Sequence, residues 1–376
     1  MNKMSETSTH EKSLLRYCPN LKERVKRLNG LYNFKRQDVI CAKMNIPSKA
    51  LEDFARNHEA GFCDYPNIEQ RIQFWDTYLS EQSQIMDDSV PSALLKEFDQ
   101  GLYGGLFGGD VRFICDPNTG HITSMVPPLL SDWSGVEKLS FDQNNYWYKR
   151  YLKQLELFDN ASQGKFGISH FIMINGLNFV YELRGATETY LGVEDCPEII
   201  EKAFELAYEV NLHIHKLFFD KVTPIEGGTC SGMAQWIPGQ IVSESLDPFH
   251  MTSVDYFEKW GRKPVERIFS QFDGGIIHIH GNGRHLLKAA SSIEGLKAIY
   301  LGDDKGFPPA FEVLDEIRKS VGAMPLICSV DYHQFIEVLS RKQLQGGVFY
   351  NVKKVPCVGT ANKCMDLVRK YLLPIT

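Results

Sequence analysis

The stretch Gly274-Gly275-Ile276-Ile277-His278-Ile279-His280-Gly281-Asn282-Gly283-Arg284-His285 holds an apolar strand, a glycine turn and the opening of a helix, in that order. Successive side chains of a strand point to opposite faces, so His278 and His280 share one face while Ile277 and Ile279 share the other. Downstream the same unit recurs. Strand-like runs fall at Gly274–His280, Lys297–Gly302, Met324–Val330 and Gly346–Val352. Amphipathic stretches lie between them at Leu286–Ile293, Ala310–Val321 and His333–Leu344, and a closing helix is expected over Ala361–Leu373. Strands and helices alternating at nearly even intervals indicate βα units with buried parallel strands. The predicted fold class is α/β, a (β/α)8 TIM-type barrel with an N-terminal helical elaboration. A doubly wound open sheet is the alternative, but no Gly-x-Gly-x-x-Gly turn follows a strand to favour it.

Upstream the text is less regular. Leu21–Leu28 and Pro47–Asn57 have helical periodicity, and Asn67–Gln84 is rich in long polar and aromatic side chains. The glycine cluster Gly101–Asp110 reads as a flexible loop or a close backbone approach; no lysine follows at P-loop spacing. Ile168–Ile174 reads as a strand. Asp195-Cys196-Pro197-Glu198 reads as a helix start, with Asp195 as cap, Glu198 reaching back and Pro197 in the first turn. His213 and His215 on that helix point to different faces and read as surface residues. Residues 1–125 are read as the helical extension with the first part of the barrel, and 126–376 as the remainder of one structural domain.

The 376 residues, 43% hydrophobic and 23% charged, are those of an ordinary soluble globular protein. A net charge of −6 argues against a nucleic-acid binder, which would carry a basic patch. No apolar run reaches the roughly 18 residues a membrane span needs. The polar stretch Met1–Lys12 lacks the apolar core of a signal peptide. Nine cysteines without close pairs do not form a disulfide framework, so a cytoplasmic location is expected.

In such a barrel the chemistry gathers where strands end. Asn175, His278, His280, Asp303, Asp304, Asp331, Tyr350 and Asn351 all stand at such ends. Two imidazoles on one face of a buried strand suit a metal ion, because neutral imidazole is a common ligand for zinc and related ions. The plainer reading is a pair of hydrogen-bonded rings lining a pocket without metal. Each aspartate can equally cap the helix that follows it, and Tyr350 can simply pack. Cys328, on an apolar strand, reads as a small buried hydrophobe.

From about Pro127 to the C-terminus, roughly two thirds of the chain, the order of segments resembles the uroporphyrinogen decarboxylase superfamily. The similar segments are Tyr181–Glu188, the Asp195–Glu198 helix start, Trp236-Ile237-Pro238-Gly239, Ser243–Asp247 with Ser253, and His278-Ile279-His280-Gly281-Asn282. The last is similar to a His-x-Cys-Gly-Asn strand, with His280 where the family has cysteine. The resemblance implies an eight-stranded barrel and, in the cobalamin-linked methyltransferase branch, a zinc site. Zinc there would lower the pKa of a bound thiol or polarise the leaving heteroatom of a methyl donor. His278 and His280 would be ligands, Asp303 or Asp304 a third and Cys357 a fourth. Asp247 and Tyr350 would orient the substrate, and Asn175, Trp236 and Asp331 would line its site. A corrinoid would arrive on a partner protein, since the chain has no Asp-x-His-x-x-Gly pattern.

Two other functions stand beside this one. The decarboxylase branch is a metal-free lyase acting on porphyrinogens, but its Arg-Gln-Ala-Gly-Arg type loop is not found here; Lys35–Ile40 resembles only the generic entry to a first strand. A non-catalytic ligand-binding barrel would use the same aromatic side chains, among them Phe107, Trp133, Tyr146, Trp147 and Trp236.

Overall fold

A computed structural model describes residues 15–32 and 36–371. Met1–Lys12, Lys35 and the end of the closing helix at Leu373 lie outside the described residues. The chain is an α/β fold built on parallel strands. We number β1 Ile40–Met44, β2 Ser92–Leu94, β3 Gly167–His170, β4 Val242–Ser245, β5 Gly275–Ile279, β6 Leu296–Leu301, β7 Leu326–Asp331 and β8 Val348–Lys353. Six form one all-parallel sheet in the order β1-β8-β7-β6-β5-β4. β2 and β3 pair in parallel in a second sheet, which continues into the hairpin Gly228–Ser231 and Gln235–Pro238.

Contacts join the two sheets at both edges. Just beyond β3, Met173 donates its N–H to Ser243 O at 2.8 Å and makes a parallel bridge with Glu244 of β4. Just before β2, Asp88 N–H donates to Ala42 O of β1 at 2.9 Å, and its carboxylate accepts from Ala42 N at 3.0 Å. Arg24 and Arg27, from the helix Leu21–Tyr32, pair with Asp87 and Asp88 and clamp this edge.

Strand alternation sorts the side chains into two layers. Ile277, Ile279, Ile299, Leu301, Leu326, Cys328, Val348 and Tyr350 pack with the helices. Cys41, Ile276, Ala298, Ile327 and Phe349 face the other way and pack with Leu21, Leu28 and Tyr32 of the first helix and with Trp236 of the hairpin.

Several local expectations are corrected. The glycine cluster is not a loop: Gln100–Leu106 is a helix, and a Cβ on Gly104 would stand 2.7 Å from Val126, so the glycines let backbones approach. Asp195 ends a preceding helix, Ala186–Asp195, and the helix Pro197–Lys221 is capped by Cys196 without a side-chain bond. His215 is buried, because the helix carrying it is covered on more than one face, and His213 bonds the Tyr148 hydroxyl. No disulfide joins the described cysteines, and no described helix is long and apolar enough to cross a membrane.

Buried titratable groups give stability a pH signature. Burial pushes Glu244 and Glu182 up to about 8 and Asp99 up to about 7. Burial also pushes His121 down to about 3 and His215 to about 4. Below about pH 6.5 the unfolded histidines take up protons that the folded ones refuse, and this opposes the carboxyl contribution. Above that value, among these groups, the carboxyls act: the folded chain holds protons that the unfolded chain has released, and this contribution is lost as pH rises through 7 to 8. The thermal midpoint should therefore fall between pH 6.5 and 8, and Glu244→Gln should flatten the slope. A wild-type midpoint flat across that window contradicts this assignment.

Candidate metal centre

The site is assembled from the C-terminal ends of β4, β5 and β6. β5 carries His278 with fully buried isoleucines on either side, and the chain leaves the strand through His280 into a tight turn at Gly281–Leu286. His278 and His280 lie on one face, ring centroids 4.8 Å apart. Their partner comes from β4. After Ser245 the chain makes one tight turn, Asp247–Phe249, started by the Asp247 N–H donating to Ser245 Oγ at 3.2 Å.

That turn points the Asp247 carboxylate at both rings. Asp247 Oδ1 lies 3.0 Å from His278 Nε2 and 3.7 Å from His280 Nε2. A third imidazole joins from the end of the same turn: His250 Nδ1 is 3.5 Å from Asp247 Oδ1. Its ring lies against the backbone of Gly283, where an added Cβ would stand 2.1 Å from it, so a side chain at 283 would displace the ring. From β6 comes Asp304, which takes His280 Nδ1 at 2.8 Å and the Gly281 N–H at 2.7 Å.

Burial alone would raise the Asp247 carboxyl, but the His278 hydrogen bond and the charges of His278, His250 and His280 outweigh it and bring it to about 2. Burial, against the pull of Asp247, pushes His250 down to about 4 and keeps its ring neutral near pH 7. An ionised carboxylate and a neutral imidazole are the protonation states that metal binding requires.

Asp247, His278 and His280 can hold a metal ion: one donor atom from each lies within 4.8 Å of the others. Ligands about 2.0–2.1 Å from a tetrahedral zinc stand about 3.3 Å from one another, and Asp247 Oδ1 lies 3.0 and 3.7 Å from the two histidine nitrogens. Asp304, on the far nitrogen of His280, does what carboxylates commonly do behind a metal-bound imidazole: it fixes the tautomer and aims the other nitrogen.

The remaining expected residues fall elsewhere. Asp303 accepts the Ala310 N–H at 2.7 Å and ties down its loop, so its neighbour Asp304 serves the site instead. Cys357 is exposed at the start of the helix Val358–Arg369, its thiol 3.4 Å from the Thr360 hydroxyl, and is not among the converging donors. Tyr350 faces the helices, where its hydroxyl donates to Gln345 O at 2.8 Å and its ring meets Phe311 and Phe335; it cannot orient a substrate at Asp247. Trp236 packs at the opposite, N-terminal end of the strands and donates to Ile225 O at 2.7 Å, so it lines no site there. Asn175 donates to Pro264 O at 3.3 Å, and Asp331 pairs with Lys354 at 2.7 Å. His250 had no signal beyond its place three residues after Asp247.

No protein-family model matches the chain, and no curated protein matches it in sequence. Among solved structures the chain is similar to a methyltransferase from Methanosarcina mazei, with a TM-score of 0.58 and 11% identity over 93% of this chain and 98% of that one. At that identity the likeness is one of fold.

Proposed function

We propose that this chain is a zinc-dependent methyltransferase of the uroporphyrinogen decarboxylase superfamily, moving a methyl group between a small methylated compound and a corrinoid protein or thiol. The observation that carries the reading is the convergence of His278, His280 and Asp247 at the strand ends, in a fold shared with a methyltransferase. We further infer that β1 to β8 close into a (β/α)8 barrel, on the strength of the Met173–Glu244 bridge and the Asp88–Ala42 hydrogen bonds at its two open seams. Exposed Met251, next to His250 in the chain, and exposed Phe307, whose N–H donates to Asp304 O at 3.2 Å, offer apolar side chains near the site to a docking corrinoid protein.

Zinc would be held by Asp247, His278 and His280, with the His250 ring next in reach. Lewis acidity toward the oxygen, nitrogen or sulfur of the methyl compound is what the ion supplies when bound. The protein's own part is positional. Asp304 locks the His280 ring, Gly283 admits the His250 ring, and the Asp247 turn fixes the carboxylate between them. A methyl displacement needs its reacting atoms close and in line, and this rigid end of β5 provides a fixed reference for that alignment.

The test is a metal assay on the purified protein, followed by incubation with a reduced corrinoid protein and methylated donors. About one zinc per chain and formation of methylcobalt support the reading. Porphyrinogen decarboxylation by metal-free protein overturns it.

A further inference from the structure

A second polar site lies on the same inner face of the sheet, far from the metal ligands. A cavity of about 450 Å³ opens where β1 and β2 are not laddered together, between β1, β8 and the helix Ile68–Gln82. Its polar lining includes two lysines and two unpartnered donors. Half-buried Lys43 projects from β1 and exposed Lys353 from the end of β8, and neither ammonium has an ion pair or hydrogen bond among the described residues. Trp75 Nε1 and Gln82 Nε2 are buried donors without a partner. The one acid in the lining, Asp87, is already taken by Arg24 at 3.2 Å, the Met44 N–H at 2.8 Å and the Ser89 hydroxyl at 2.7 Å.

Buried donors left unsatisfied cost free energy and call for a ligand. Two ammonium groups, an indole N–H and an amide N–H, with no free carboxylate among them, are the complement of an oxyanion. The wall agrees: burial, then the charges of Lys96, Arg71 and Lys43, keep His121 deprotonated. A polar strip joins this cavity to the metal centre. Strand by strand along the inner face it runs from His278 to Tyr300, Ser329, Asn351 and Lys43; His278 is in register with Tyr300, Ser329 with Asn351, and Asn351 with Lys43, while Tyr300, in register with Ile327, meets Ser329 through a side-chain hydrogen bond. Four strand steps separate β5 from β1, about 19 Å along the sheet at about 4.8 Å each.

We propose that this cavity is an anion subsite that takes the carboxylate end of an elongated small substrate whose other end reaches the Asp247–His278–His280 centre. The substrate class is thus a methylated carboxylic acid, and this part rests on the methyltransferase reading. Lys43 supplies the charge, and the unpartnered Trp75 and Gln82 donors lie within the same wall.

The experiment titrates succinate and inorganic phosphate at low ionic strength, followed by calorimetry, into the wild-type protein, Lys43→Met, Trp75→Phe and the metal-centre variant His278→Ala. Succinate should bind the wild type and His278→Ala alike, and at least about tenfold more weakly to Lys43→Met, the loss expected for one charge-assisted hydrogen bond. Trp75→Phe keeps the ring and should weaken binding by a smaller factor, and Lys43→Arg should restore much of it. Metal content of Lys43→Met should equal the wild type. Equal succinate affinity for wild type and Lys43→Met overturns the subsite, as does binding of phosphate without succinate. A wild-type protein that binds succinate but holds no metal would remove the methyltransferase reading and leave the subsite standing.

Discussion

Replacing His278 and His280 together with alanine should abolish the proposed zinc binding and lower the proposed methyl transfer by at least about a thousandfold, equivalent to about 4 kcal/mol of barrier. The fold should survive, because the packing of β5 rests on Ile276, Ile277 and Ile279, each fully buried. Elemental analysis and circular dichroism on the same sample separate the two effects. The series is graded by position. Asp304→Asn keeps every direct donor but weakens the hold on His280, so metal affinity should fall by about 10–100-fold while binding persists. Cys357→Ser should leave the metal content unchanged, because that thiol bonds Thr360 at the start of its own helix. A full metal equivalent in the double histidine variant would sink the proposed centre.

The largest effect on stability should come from Asp88→Ala. Asp88 is fully buried and holds three groups at the seam between β1 and β2: Arg27 Nε at 2.6 Å, Arg27 Nη2 at 3.2 Å and the Ala42 N–H at 3.0 Å. Burial raises this carboxyl and Arg27 opposes the rise, so the pair is costly to assemble and costlier to break. Removing one partner of a fully buried pair typically costs about 3–5 kcal/mol; Arg27 is 23% exposed and keeps its bond to Ile40 O, so the lower end, about 3 kcal/mol, is expected. That is a large share of the roughly 5–15 kcal/mol by which a domain is stable. Urea unfolding should show the midpoint falling accordingly, with Asp88→Asn in between because it retains an acceptor for Ala42. A loss below about 1 kcal/mol would mean that the clamp is not what holds this seam.

Much of the second half was legible because periodicity is local. Strand alternation put His278 and His280 on one face, and the regular spacing of apolar runs announced parallel strands joined by helices. Alternation had less to say where both faces are apolar. In β8, Phe349 and Tyr350 are each fully buried, one among the inner residues and one among the helices, and a parallel strand buried on both sides does not reveal which is which. Tyr350 read as a site residue for that reason.

The first half resisted for a related reason. The glycines of Gln100–Leu106 look like a loop until Val126 and Trp147 are seen packed against them, and only tertiary contact makes a glycine-rich helix worth forming. The sequence by itself determined the βα order, the shared face of the two histidines and the candidate acids at strand ends. Tertiary structure alone decided which acids count. Asp247, His250 and Asp304 lie far from His280 along the chain, and they meet it only because β4, β5 and β6 are neighbours in register and end at one level. Asp303 and Asp304 are adjacent in sequence, but only the backbone path after β6 sends one to Ala310 and the other to His280.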